Sequence, residues 1–500
     1  MNRVAVALLI ALGLFASPRT ASARWTRLSS EHFVFVGDVS ERDMRDIARR
    51  LEQFREVVGR MFSQEATSTP VPTVVVVFQN DRSFTPFKPV FQGKPVAVAG
   101  YFVGTEDVNY IAVNAAQDSA AYGVIFHEYA HFLIRNAVGN ADPWVNEGLA
   151  QLYQTFESRN GGKGAMLGMP SVESLRILQA SAALLPIGQL IAVQPDSPMY
   201  NEGDRRGLFY AESWALVHYL TFGAPTRTGQ LKTYLGAVLE GVPAAEAFAQ
   251  AFGSDTAGLE RELATYIRSL QLNALRIDFD QRIMAGGVSP GEVIPDEEAA
   301  GYLGDMMARM NRADEARVYL RKTIESHANA ARAIAALGLL ELRATNDDVA
   351  FPLLERAASL APDVATIQSA FGRALTRRAD RGWADEDALY ARARTVLGRA
   401  LELEPDNVST MVTLAEVEMG SGADPVRAVM LVQQALTASP GREEYRLMLA
   451  QALAMNGDYR GASNVLGLLM ERGSRLQIRE AAREALARVA EAQNAVRALR

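Results

Sequence analysis

Small residues recur in a fixed register ahead of three prolines in the second half of the chain, and no other feature restricts the fold as tightly. Ala357, Ala400 and Ala435 lie five positions before Pro362, Pro405 and Pro440, and Ala350, Ala393 and Ala428 lie twelve before them. Gly338, Gly372 and Ala415 open the same units, while Gly304 with Ala316 and Ala450 with Ala462 mark an earlier and a later unit in register. The prolines are 43 and 35 residues apart, and the first spacing becomes 34 when the polar segment around Arg381-Gly382-Trp383 is read as a nine-residue insertion. Matched small residues let two helices cross closely, and proline cannot continue a helix, so each unit reads as a helix pair closed by its proline.

A unit of this length with this register carries the tetratricopeptide signature. Five such units are expected over 297–473, with a cap at 474–500 whose polar-faced helix runs over 475–498. A generic Ala-rich bundle would lack the shared register. An array of this kind implies a protein partner on its concave surface and leaves that partner unspecified.

Five hundred residues exceed what one core supports, so a separate domain must precede the repeats. A chain that is 49% hydrophobic, 22% charged and 8% aromatic is globular. A net charge of -7 without a basic run excludes a nucleic-acid partner. The absence of cysteine leaves only His, Asp and Glu as metal ligands.

At the N-terminus, Arg3 precedes an apolar run from Val4 to Ala16, followed by Ala21-Ser22-Ala23. Residues 1–23 therefore read as a signal peptide cut after Ala23, which predicts a periplasmic or secreted protein. The apolar run is shorter than the ~20 residues needed to cross hydrocarbon, so no membrane span is expected after cleavage.

From residue 24 to 271 the pattern predicts an α+β domain. His32–Val36, Val71–Phe78, Val96–Val103 and Tyr110–Val113 read as strands, with a helix over Glu41–Phe62. Helices are expected at about 120–138, 144–157, 171–183, 207–222, 229–238, 243–252 and 256–271. Residues 272–296, with glycines, acidic residues and prolines but no period, are expected to be a linker.

The chemistry centres on His127-Glu128-Tyr129-Ala130-His131. Residues four apart on a helix stand one above the other, so both imidazoles can reach one ion. Glu128 then leans towards the open coordination position, where it can take a proton from water. A third ligand is required, and Glu147 in Trp144-Val145-Asn146-Glu147-Gly148 opens the next predicted helix. A His/His/Glu set leaves a fourth position free, the mark of a catalytic zinc site.

The pair of motifs, H-E-Y-A-H and the glutamate of W-V-N-E-G-L-A sixteen residues later, resembles the gluzincins, and the whole chain is similar to exported peptidase-MA-like proteins carrying tetratricopeptide repeats. The resemblance implies a zincin-like metallopeptidase domain followed by an all-α repeat solenoid. It also implies Zn2+ on His127, His131 and Glu147, Glu128 as general base, and a polypeptide substrate. Asn146 and Gln151 would stand behind the ligands. Gln151 occupies the position where the thermolysin branch has an Asp that braces a histidine, and an amide there would leave the zinc more electrophilic. Nothing resembles the Gly-x-Met-Glu-Asn sequence of the aminopeptidases, which favours an endopeptidase.

A hydrolase of this kind needs a donor for the oxyanion, and related gluzincins place a Tyr or His in a later helix. Tyr210 is the first candidate and His218 the second, although a half-buried aromatic and a core histidine fit the same sequence. Gluzincins lay substrate along a sheet edge, for which Val96–Val103 is the candidate. Two other readings compete: an exported repeat scaffold whose zinc domain is structural or inactive, and a zinc hydrolase acting on something other than peptide.

Overall fold

The computed structural model describes residues 25–59, 71–105, 107–116, 120–139, 141–181, 183–194, 197–201, 203–253, 256–269, 272–279, 287–382, 385–473 and 475–498. The expected signal peptide at 1–23 and Trp383 lie outside these residues.

A mixed six-stranded sheet organises the first domain. Its strands are β1 (Thr26–Ser29), β2 (Phe33–Gly37), β3 (Thr73–Phe78), β4 (Gly100–Val103), β5 (Asn109–Asn114) and β6 (Glu292–Val293), in the order β6-β1-β2-β3-β5-β4. The central pairs β2–β3 and β3–β5 are parallel, and β4 runs antiparallel along the β5 edge. Every residue of β3 and β5 is buried, as expected for strands covered on both faces. One face packs Val75, Val77, Ile111 and Val113 against the helices Glu41–Gly59 and Ala120–Val138. The other packs Val36, Val74, Val76 and Tyr110 against Ala299, Tyr302, Leu303 and Met306 of helix Asp296–Arg309.

That second face corrects the expected domain boundary. The described parts of 272–296 are not a spacer: Leu275–Asp278 joins Gly164–Leu167 and Glu157–Arg159 in a three-stranded sheet, and Glu292–Val293 is β6 itself. Strands of two to four residues show no period and so leave no pattern in the sequence. The substrate-strand candidate also shrinks. Gly100–Val103 pairs with β5, with the Ala99 carbonyl accepting from Asn114 N–H, whereas Val96 N–H bonds to the Pro89 carbonyl at the open end of the hairpin Val90–Phe91 with Lys94–Pro95. The expected helix over 144–157 ends at Tyr153, because Glu157 begins a strand, and the one expected at 207–222 starts at Gly203.

Five helix hairpins follow: Asp296–Arg309 with Ala313–Ser326, Ala331–Arg343 with Asp347–Leu360, Ala365–Asp380 with Glu386–Leu403, Val408–Ser421 with Pro425–Ala438, and Glu443–Met455 with Tyr459–Arg472. Helix Leu476–Ala498 ends the stack, so the second half of the chain is an all-α solenoid. The register has a direct cause. A Cβ on Gly304, Gly338 or Gly372 would lie 2.4, 2.7 or 2.4 Å from Leu320, Leu354 or Leu397 of the paired helix. Ala350, Ala357, Ala393, Ala400, Ala428 and Ala435 are fully buried in the same crossings. The insertion in the third unit is absorbed as longer helices of 16 and 18 residues.

The array is joined to the sheet domain by charge as well as by apolar packing. Arg309, buried in the first hairpin, donates to Asp305 at 2.8 Å, to Thr105 at 2.7 Å and to both oxygens of Asp107. Arg373 of the third hairpin reaches Asp107 at 2.9 Å, and Tyr110 donates to Asp305 at 2.8 Å.

Candidate metal centre

Helix Ala120–Val138 is apolar on nearly every side, and Ile125, Phe126, Tyr129, Ala130, Leu133 and Ile134 are buried. Phe126 stacks on Phe54 at 4.5 Å and Tyr129 accepts a hydrogen bond from Arg55, which fixes the rotation of the helix. His127 and His131 then emerge on its remaining face, with Glu128 exposed beside them.

The next helix, Pro143–Tyr153, begins with a proline preorganised for its first turn. Gly148 lets it press onto helix Gly203–His218, since a Cβ there would sit 2.5 Å from the Ser213 carbonyl oxygen. This close crossing brings Glu147 towards the histidines and Tyr210 towards Glu147.

The three side chains form a triangle. His127 Nε2 and His131 Nε2 are 3.2 Å apart, and Glu147 Oε2 lies 3.7 and 3.6 Å from them. Donors bonded tetrahedrally to one zinc ion at about 2.0–2.2 Å stand about 3.3 Å apart, so the donor set fits such an ion. Among the described residues this is the only group of three or more His, Asp or Glu side chains converging in this way. Glu147 Oε2 is buried and accepts no hydrogen bond, the state of a carboxylate oxygen shaped for a cation.

Polar neighbours orient the triangle. Asn146 Oδ1 lies 3.0 Å from His131 Nδ1, and as a carbonyl acceptor it selects the tautomer that leaves Nε2 with its lone pair towards the triangle. Tyr200 donates to Glu147 Oε1 at 2.8 Å and stacks on Tyr210 at 5.8 Å. Burial is the largest influence on the Glu147 carboxyl and raises it, against the pull of His131, Tyr200 and Tyr210. Burial, then the neighbouring His131, holds His127 down to about 4, which keeps its ring neutral and able to ligate.

Tyr200 was not singled out in the sequence. It sits on a helix of four residues, Pro198–Asn201, too short for any periodic signal, and only its proximity to Glu147 in space reveals it.

Two expected roles change. His218 is fully buried, with Nδ1 2.9 Å from the Tyr266 hydroxyl and Nε2 2.9 Å from the Gly168 carbonyl. Both ring nitrogens are satisfied within the core, so it is no oxyanion donor. Gln151 does not brace a histidine: its amide donates to the Tyr210 carbonyl at 2.9 Å and accepts from Ser174 at 3.3 Å. His127 Nδ1 is buried and makes no hydrogen bond, so Gln151 does not brace this ring either. Tyr210, by contrast, stands half-buried beside Glu147.

Glu128 and His131 open into a cleft of about 1110 Å3. Phe102 of the edge strand and Thr105 beyond it form one side, and Tyr200 lines the cleft as well.

No protein-family model matches the chain, and no curated protein matches it. Solved structures similar to it include a thermophilic TPR protein from Thermus thermophilus, 18% identical with a TM-score of 0.32, over 38% of this chain and 99% of that one. YrrB, described as a TPR protein with an unusual peptide-binding site, is 14% identical with a TM-score of 0.31, over 38% of this chain and 94% of that one. PilW, described as a type IV pilus biogenesis factor, is 16% identical with a TM-score of 0.31, over 39% and 90%.

Proposed function

We propose that the protein is an exported zinc-dependent peptidase of the gluzincin type, with endopeptidase action on polypeptide and with its repeat array serving recruitment. The observation that carries this reading is the triangle of His127, His131 and Glu147, with the unpartnered Glu147 Oε2 and a general-base candidate on its open side. Zinc held there would supply Lewis acidity towards a water and the scissile carbonyl.

The remaining steps fall to the chain's own groups. The Glu128 carboxylate accepts a proton from the attacking water and returns it to the leaving amide nitrogen. Asn146 and Tyr200 hold His131 and Glu147 in position. This reading assigns the oxyanion donor to the Tyr210 hydroxyl, half-buried beside Glu147. Strand β4 offers a free backbone edge along which an extended peptide could pair.

The test is zinc analysis of the full chain together with hydrolysis of an unfolded protein, repeated on Glu128→Gln. Retained zinc with hydrolysis reduced by about 10^3-fold or more is expected. Unchanged hydrolysis in Glu128→Gln, or no more than trace zinc in the unaltered protein, overturns the reading. A second reading, an exported scaffold with an inactive zinc domain, is favoured by the solenoid itself and gains if Glu128→Gln retains every partner interaction and phenotype.

A further inference from the structure

The last hairpin of the array returns to the candidate metal centre. The turn ahead of helix Glu443–Met455 docks on the end of helix Ala120–Val138, where Gly441 N–H donates to the Asn136 carbonyl at 3.0 Å. The fit is backbone against backbone: a Cβ on Gly441 would lie 2.3 Å from the Gly139 nitrogen and 2.5 Å from the Arg135 carbonyl oxygen. This contact places Arg442, Gly473, Arg475 and Arg479 on the cleft that Glu128 and His131 open into.

The charge of that roof is distinctive on a chain of net charge -7. Four guanidiniums line the cleft: Arg135 from the histidine helix and Arg442, Arg475 and Arg479 from the array. The facing carboxylates are Glu128, Glu471 and Asp142, the last already holding the Tyr234 hydroxyl. Arg475 pairs with Glu444 in an exposed contact, and Arg479 donates to the Gly473 carbonyl at 2.6 Å. Arg442 is half-buried, and its charge, with that of Arg475, helps hold the Glu444 carboxyl down. Guanidinium groups bind carboxylates in a bidentate fork, and the walls of a cleft shield them from solvent more than an open surface does.

We propose that the terminal hairpin is a specificity-determining roof that selects peptide segments carrying carboxylates next to the bond to be cut, with Arg442 and Arg479 as its principal contacts. The carboxylate is that of an Asp or Glu side chain or of a chain terminus. This inference rests on the peptidase reading for its biological meaning, but binding tests it separately from hydrolysis.

The experiment uses the full chain carrying Glu128→Gln and fluorescein-labelled ten-residue peptides that differ only in an acidic, neutral or basic central pair, each with a free or an amidated C-terminus. Anisotropy is expected to show the acidic peptides binding about tenfold more tightly than the neutral ones, with the preference shrinking as salt is raised. The double substitution Arg442→Gln/Arg479→Gln reduces the preference to within about twofold while leaving the melting profile unchanged. Gly441→Val, which unseats the roof from Gly139, lowers the preference with all four arginines present. Tighter binding of free than of amidated peptides whatever the central pair assigns the recognised group to the C-terminus, and a preference for the acidic pair that survives amidation assigns it to side chains. Binding that is indifferent both to the central pair and to amidation, no binding of any peptide, or a preference that outlasts the double substitution overturns the proposal. Hydrolysis of neutral and acidic peptides at equal rates by the unaltered protein sinks the roof and leaves the peptidase standing.

Discussion

Tyr200 donates its hydroxyl to Glu147 Oε1 at 2.8 Å, so one carboxylate oxygen is tethered while the other, Oε2, stays aimed between His127 and His131. Tyr200→Phe removes the tether and leaves the ring stacked on Tyr210. Zinc affinity is expected to fall by about tenfold or more, read by competition with a chromogenic chelator. Affinity within about twofold of the unaltered protein would mean that Glu147 is positioned by its helix alone.

His218 holds two core hydrogen bonds and has no path to the cleft. His218→Ala should cost about 3 kcal/mol of stability, from lost packing and from the Tyr266 and Gly168 partners left unsatisfied. Zinc content per folded molecule should stay the same. Loss of zinc at temperatures where circular dichroism shows the fold intact would contradict this.

Asp107 ties the array to the loop beyond the edge strand. Burial alone would raise its carboxyl, but Arg373 and Arg309 hold it far below the usual carboxylate range. Its contribution to stability is therefore present above about pH 4 and is lost as the pH falls through and below that value. Asp107→Asn leaves buried Arg309 short of a countercharge and is expected to cost about 3 kcal/mol at neutral pH. Urea unfolding at pH 7 and pH 3.5 tests both, and the gap between variant and parent should narrow at the lower pH.

Glu212 behaves in the opposite sense. Burial, chiefly, pushes its carboxyl up to about 7, with the Leu185 N–H pulling it down and Glu260 pushing it further up. The protonated form is the one the core accepts. Its contribution is present in full below about pH 4 and drains away as the pH rises through 7, by up to about 3 kcal/mol. Glu212→Gln should flatten this decline, so its advantage over the parent in thermal melts grows from pH 5 to pH 8. An advantage independent of pH would show that Glu212 is not the titrating group.

The sequence was most informative where one spacing rule governs the geometry. A spacing of four between His127 and His131 suffices to set both on one helix face, and the alanine and glycine register marks the close crossings within the hairpins. Glu147 was legible because it opens a helix at a motif-defined distance. Legibility ended where contacts are made by short or aperiodic segments. Tyr200, strand β6 and the docking of Gly441 on Gly139 depend on residues far apart in sequence, and no local period encodes them. Gln151 and His218 were misread for a related reason. Their residue types allow both a site role and a core role, and only the partners found in the fold, Tyr210 and Ser174 for one and Tyr266 and Gly168 for the other, decide between the two.

Strand β6 and helix Asp296–Arg309 also set the order in which the molecule can be completed. A chain emerging from its N-terminus has made His127, His131 and Glu147 long before it has made the cover for Val36, Val74, Val76 and Phe78. The triangle thus waits, on a half-clad sheet, for about another 160 residues of synthesis before its supporting layer closes. A fragment ending at residue 271 should be protease-sensitive and prone to aggregate, whereas one ending after Ser326 should resist digestion. Maturation of the candidate metal site would then be timed by the arrival of the first hairpin.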